Sequence, residues 1–127
     1  MSDRITKIFV GVAGIGALGF AALTIVKPEA FSDYGLDVNT PQARIVIRSL
    51  IGGFELALAG LMLLGGKLGL SLQQRAGLFS VTLLALGSVR ILAATYEGLD
   101  VLFHQPLREG ALEIIVGLIA AALARRA

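Results

Sequence analysis

Two arginines and two glutamates interrupt the long apolar stretches of this sequence: Arg48 and Glu55 lie in one stretch, and Arg90 and Glu113 in two later ones. An unpaired charge facing acyl chains costs at least ~3 kcal/mol at the centre of a membrane, so such residues usually mark function or pair together. Arginine can hold a carboxylate or phosphate through two parallel hydrogen bonds, and a glutamate can accept a proton. These four residues are therefore the candidate site.

Small residues accompany each charge at helical spacing. Arg48 and Glu55 are seven residues apart, two helical turns, and so share one face of a regular helix. The predicted stripes are Arg48, Gly52, Glu55 and Ala59; Ser80, Gly87, Arg90, Ala94 and Glu97; and Gly110, Glu113, Gly117 and Ala121. Stripes of this kind let helices approach closely. We expect the ion pairs Arg48–Glu113 and Arg90–Glu55, although the sequence leaves the choice of partner open.

The composition predicts a membrane protein. Of 127 residues, 56% are hydrophobic and only 16% are charged, and the mean hydropathy is +0.83. Soluble domains are about 25% charged. The absence of cysteine excludes disulfides and thiolate metal sites. The net charge of +2 does not indicate nucleic acid, because the basic residues lie at the ends of the apolar stretches.

The element pattern predicts one all-α domain over residues 1–127, an integral membrane bundle of four antiparallel helices. The predicted spans are about 5–26, 44–64, 76–96 and 107–124. The first three approach the roughly 20 residues needed to cross a bilayer, and the fourth is the shortest. The first span is favoured as an uncleaved helix over a signal peptide, because its apolar core is too long.

Charge in the connections predicts orientation. The N-terminus, the 65–75 turn and the C-terminus carry Asp3, Arg4, Lys7, Lys67, Arg75, Arg125 and Arg126. The other two connections are mainly acidic and carry Lys27, Glu29, Asp33, Asp37, Arg44, Glu97, Asp100, Arg108 and Glu109. Because basic connections stay in the cytoplasm, we expect both termini there.

Two further residues are assigned to the site. Tyr34 lies in the 27–42 connection, which is predicted to fold back at the membrane interface, as an interfacial anchor or a gate of the pocket. Gly52 is predicted to mark close packing or a local bend beside Arg48. His104, the single histidine, is a poor metal or haem ligand on its own. No catalytic residue, metal or cofactor is predicted.

Four features resemble domain-of-unknown-function family 4345, small bacterial four-helix membrane proteins related to the DoxX-like group. They are the loop PEAFSDYGLDVNTPQAR, the helix RSLIGGFELALAG, an arginine late in span three and a glutamate early in span four. The resemblance covers most of the chain. Where that family often has an aromatic residue before the paired glycines, this chain has Ile51. The resemblance implies a four-helix bundle of the bacterial inner (cytoplasmic) membrane with both termini inside, and no established activity.

Three functions remain open. In the first, Arg48, Glu55, Arg90 and Glu113 line an outer-half polar pocket for a small anionic or amphiphilic ligand such as a lipid or quinone-like molecule. In the second, the chain is an accessory subunit or homo-oligomer whose intramembrane salt bridges only lock the bundle. In the third, it is a proton-coupled carrier or membrane enzyme that uses Glu55 or Glu113 as a proton acceptor.

Overall fold

The computed structural model describes residues 2–126, which are almost entirely helical and contain no strand. In chain order the elements are helix α1 (Ser2–Val26), a 3-10 helix (Pro28–Tyr34), α2 (Pro41–Val46), a π-helical segment (Ile47–Gly52), α3 (Gly53–Leu64), a second 3-10 helix (Gly65–Leu68), α4 (Leu72–Glu97), α5 (Leu99–Leu102) and α6 (Gln105–Ala124). The prediction of an all-α chain is confirmed.

Within the described chain, three helices are long and apolar enough to cross a membrane: Asp3–Val26, Pro41–Leu68 and Leu72–Glu97. Pro41–Leu68, the second long helix, joins α2, the π segment, α3 and the second 3-10 helix without a break. Helix α6 has 20 residues, but it carries charges at Arg108, Glu109 and Glu113 and is not among these candidates. The fourth span of the predicted bundle therefore stays a prediction.

Capping side chains stabilise the N-termini of two of the long helices. Thr40 accepts a hydrogen bond from the amide of Ala43, and Pro41 takes the first helical position, as its sequence predicts. Ser71 and Gln74 form a reciprocal capping box at the start of α4. Between α4 and α6, the chain forms the four-residue helix α5.

The chain consists of two compact units. The α1–α3 unit is Val10–Gly69, and the α4–α6 unit comprises the described residues up to Phe9 together with those from Leu70 onward.

In the α1–α3 unit, α1 packs closely against the second long helix. A methyl group added to Gly14 would lie 2.6 Å from Leu63 Cγ and 2.9 Å from Met62 Cβ. Ala21 is completely buried, whereas Ala13 and Ala17, which share its four-residue spacing, are only partly covered. The close packing of α1 on the second long helix is therefore centred on Gly14 and Ala21.

The π segment Ile47–Gly52 interrupts the second long helix beside this packing seam. Its wider turn rotates each residue by less than the roughly 100° of an α-helix. At its end, the amide of Gly53 donates to the carbonyls of both Arg48 and Ser49, so the backbone returns to α-helical bonding there. A sequence pattern that assumes about 100° per residue therefore gives the wrong angle between side chains on either side of this segment.

In the α4–α6 unit, small residues bring α4 and α6 into backbone contact. Gly87 faces the carbonyl of Gly110, and a methyl group added to Gly87 would lie 2.8 Å from that oxygen. The buried Ser80 hydroxyl donates to the carbonyl of Gly117 over 2.8 Å. As the residue number increases along α4, the number of the contacting residue on α6 decreases, so the two helices are antiparallel. The predicted glycine and serine positions of these stripes lie in the contact.

We predict that Gly87→Ala destabilises the protein, because the added methyl group meets an immobile backbone oxygen. Overpacking of this kind costs about 1–3 kcal/mol, which outweighs the gain of up to about 1 kcal/mol in helix propensity. Gly77→Ala on the same helix is the matched control, since its methyl group would lie 3.7 Å from Ala124 Cβ in ordinary contact. Thermal unfolding followed by circular dichroism should show a lower Tm for Gly87→Ala alone. If Gly87→Ala and Gly77→Ala had the same Tm, the close approach of α4 and α6 at Gly87 would be contradicted.

Candidate functional site

The four charged residues of the predicted site fall into two groups, and each group has its partners inside its own unit. Arg90 and Glu113 belong to the α4–α6 unit, and Arg48 and Glu55 to the α1–α3 unit. The sequence predicted a buried cluster, but no charged residue in the described chain is fully buried. Arg48 is exposed, and the other three side chains are partly covered.

Arg90 on α4 is held by two carboxylates of α6. Its Nε donates to Glu113 Oε1 over 2.9 Å, and its Nη2 lies 2.7 Å from the same oxygen. Its Nη1 lies 3.1 Å from Glu109 Oε2. Side-chain exposures of 34% for Arg90, 25% for Glu109 and 17% for Glu113 place the group between surface and interior. Such a guanidinium, with both edges occupied by carboxylates, is a clamp between two helices.

The spacing of two glutamates on α6 explains why Arg90 contacts a second carboxylate. Glu109 and Glu113 are four residues apart and so lie one turn apart on one helix face. Gln105, a further turn back, donates from Nε2 to Glu109 Oε1 over 2.9 Å. Two carboxylates against one guanidinium leave the group with a formal excess of one negative charge. Glu113 Oε2 is buried without a protein partner among the described residues.

The sequence left the choice of partner open, and within each unit the structure shows partners other than those expected. Glu113 is bound by Arg90 instead of Arg48, because α4 and α6 pack directly together through Gly87 and Gly110. Glu55 is bound by a hydroxyl group instead of Arg90. Sequence reasoning missed Glu109 because it was counted with the charges of the preceding connection. Its spacing from Glu113 was the signal that could have identified it.

Arg48 lies in the π segment and reaches the end of α1. Its Nε donates to the carbonyl oxygen of Ile25 over 2.8 Å. The last carbonyls of a helix have no partner within the helix and carry partial negative charge, and α1 has no basic residue in its own last turn. Arg48 supplies that cation from another helix. No carboxylate of the described chain lies within ion-pair distance of its guanidinium.

Glu55 reaches the residue before Ile25. Its Oε1 lies 2.6 Å from the hydroxyl oxygen of Thr24, which is only 2% exposed. The same hydroxyl lies 2.9 Å from the carbonyl oxygen of Phe20. One hydroxyl carries one proton, and the shorter distance is in the range of a hydrogen bond to a carboxylate. Thr24 thus donates to Glu55. A threonine within an apolar stretch was the available signal for this residue.

Gly52 lies between these two contacts. It is buried, and a methyl group added to it would lie 3.0 Å from Ile25 Cγ1 and 3.3 Å from Thr24 Cγ2. The predicted stripe of Arg48, Gly52 and Glu55 therefore does face one place, the last turn of α1. The prediction of close packing at Gly52 agrees with this contact.

Tyr34 ends the 3-10 helix that follows α1. Its ring centroid lies 5.8 Å from that of Phe31, and the side chain is 51% exposed. An exposed tyrosine packed on a partly covered phenylalanine at a helix connection suits a membrane interface. Its place in a ligand site stays a prediction.

The two groups differ in what they can do chemically. The donors of Arg90 are occupied by carboxylates of its own chain, which leaves little for a ligand. Arg48 uses Nε for a backbone carbonyl, and its Nη atoms have no described partner. Two such parallel donors match a carboxylate or a phosphate oxygen pair. In the described residues, no cluster of histidine, aspartate or glutamate has the arrangement of a metal site.

We predict that Glu113→Gln lowers stability more than Glu109→Gln does. Glu113 receives two of the three contacts from Arg90 and is the less exposed carboxylate. Hydrogen bonds to charged groups contribute about 1.5–3 kcal/mol, and more exposed pairs about 0–1 kcal/mol. Thermal unfolding in one detergent measures the order. A larger loss for Glu109→Gln would contradict the assignment of Glu113 as the main partner.

Comparison of the chain with protein-family models, with curated proteins and with solved structures finds no match in any of the three.

Proposed function

We propose that this chain is a multi-pass protein of the bacterial inner membrane that binds a small anionic or amphiphilic molecule, such as a lipid, through Arg48. The observation that carries the proposal is the exposed guanidinium of Arg48, which is fixed by a backbone carbonyl and has no carboxylate partner in the described chain. Membership of domain-of-unknown-function family 4345 belongs to the same proposal and rests on the motif RSLIGGFELALAG.

The position of Arg48 along its helix supports an anion at the membrane interface. Arg48 is seven residues from Pro41, where the second long helix begins, which corresponds to a depth of about 10 Å. An arginine near the end of a spanning helix extends its charge toward the headgroups. A phosphate or carboxylate there neutralises the guanidinium and accepts both outward N–H groups.

The proposed bundle has four spans, with both termini in the cytoplasm. The charges of α6 are the obstacle to a fourth span, but Glu109 and Glu113 both bind Arg90, and Arg108 is exposed near the helix start. Paired charges cost much less in lipid than isolated ones. The clamp between α4 and α6 therefore supports the fourth span.

A second candidate function is an accessory subunit or homo-oligomer whose ion pairs only hold helices together. The Arg90 group favours it, because all of its described contacts are internal. The two candidates differ at Arg48: a ligand would bind the Nη donors that the carbonyl of Ile25 leaves unoccupied, whereas an accessory subunit needs only the contact between Nε and that carbonyl.

We predict that Arg48→Gln loses a co-purified anionic lipid that the unaltered protein keeps. Native mass spectrometry from mild detergent, followed by titration with phosphatidylglycerol, measures the bound fraction. Loss of a bidentate contact to a charged group should weaken binding by roughly 10-fold or more, and Arg48→Lys should keep only part of it.

Arg108→Gln is the matched control, because Arg108 is also an exposed arginine of a helical segment. Its bound fraction should equal that of the unaltered protein. If Arg48→Gln binds phosphatidylglycerol as well as the control does, the proposed function is wrong, and co-purification of a protein partner would favour the second candidate.

The bundle makes a separate prediction about topology. Because the chain has no cysteine, single cysteines that replace Asp33, Leu68 or Ala127 show on which side of the membrane each position lies. In spheroplasts, an impermeant maleimide should label Asp33→Cys alone, and permeabilisation should expose the other two. Labelling of Ala127→Cys in intact spheroplasts would mean that α6 does not cross the membrane.

A further inference from the structure

We propose that Thr24 is a positioning residue of the Arg48 site: its hydroxyl holds the Glu55 carboxylate and so keeps the Arg48 guanidinium free for an anion. The inference rests on the proposed function of Arg48, and it adds how the chain prevents its own carboxylate from occupying that site.

The last turn of α1 offers both kinds of partner on consecutive residues. Thr24 presents a hydroxyl donor, 2.6 Å from Glu55 Oε1, and Ile25 presents a carbonyl acceptor, 2.8 Å from Arg48 Nε. Donors bind carboxylates and acceptors bind guanidinium groups, so the two oppositely charged side chains are held at adjacent but separate points. The buried Gly52 lies against the same two residues of α1 and leaves the two side chains on either side of the contact.

Removing the hydroxyl would leave Glu55 with one obvious new partner. Arg48 is the cation already bound to the next residue of α1, and its Nη atoms have no described acceptor. Attraction between unlike charges grows as the surroundings become less polar, and both residues lie in an apolar helix. We therefore expect Glu55 to turn to Arg48 and compete with any external anion.

Thr24 differs from the two threonines Thr82 and Thr95 of α4. The hydroxyls of Thr82 and Thr95 donate to the carbonyls four residues earlier, of Leu78 and Ile91. This is the ordinary arrangement of a threonine within a helix. Thr24 has the same carbonyl within reach, yet its shorter contact is to the carboxylate of another helix. The side chain is almost fully buried, so it touches no external ligand itself.

The test measures phosphatidylglycerol binding by native mass spectrometry for five variants. Thr24→Val has the same shape without the hydroxyl and should bind about 10-fold more weakly, although Arg48 is intact. Thr24→Ser keeps the hydroxyl and should bind like the unaltered protein. Thr24→Val combined with Glu55→Gln should recover the affinity, because glutamine carries no charge to compete. Glu55→Gln alone should bind at least as tightly as the unaltered protein, and Thr82→Val is the control for loss of a helical hydroxyl.

Recovery in the double variant is the decisive readout, because damage to packing would not be repaired by a second substitution. Thr24→Ala replaces Thr24→Val if the latter does not fold. Unchanged affinity after loss of the hydroxyl, or weak binding that persists in the double variant, would overturn the role of Thr24. If Arg48→Gln itself binds normally, the proposed function fails; if Arg48→Gln binds weakly and Thr24→Val normally, only the positioning role fails.

Discussion

An ionisable side chain on a long apolar helix has to find its hydrogen-bonding partner in the protein or at the membrane surface, because hydrocarbon offers none. That requirement organises both units of this chain. In one, Arg90 joins α4 to α6 through two carboxylates. In the other, Arg48 and Glu55 bind the last turn of α1. Both arrangements depend on glycines, since only close backbones allow these side chains to reach.

The sequence predicts much of the local arrangement because it depends on spacing. The helical class, the proline start of the second long helix, and the faces that carry Gly87, Gly110 and Gly117 follow from periodicity and from residue size. Each of these properties is set within one segment. They hold whatever the partner helix is.

Partner choice could not be predicted in the same way. Residue type made Arg48 and Arg90 equivalent partners for Glu113, and only the direct packing of α4 on α6 separates them. The partner of Arg48 is a main-chain carbonyl, which every residue possesses and which leaves no mark in the sequence. The π segment could not be predicted either, since the sequence IRSLIG is compatible with a regular helix.

The contact of Arg48 with Ile25 has a consequence for biogenesis. The end of α1 and the arginine that compensates its carbonyls lie on different helices, so neither is satisfied while α1 is alone. An isolated second helix would also have to carry its guanidinium into lipid unaided. If the two enter as a helical hairpin, donor and acceptor meet during insertion. In the proposed topology, the segment that ends at Leu68 would then insert as one unit, and the connection between the two helices would cross the bilayer first.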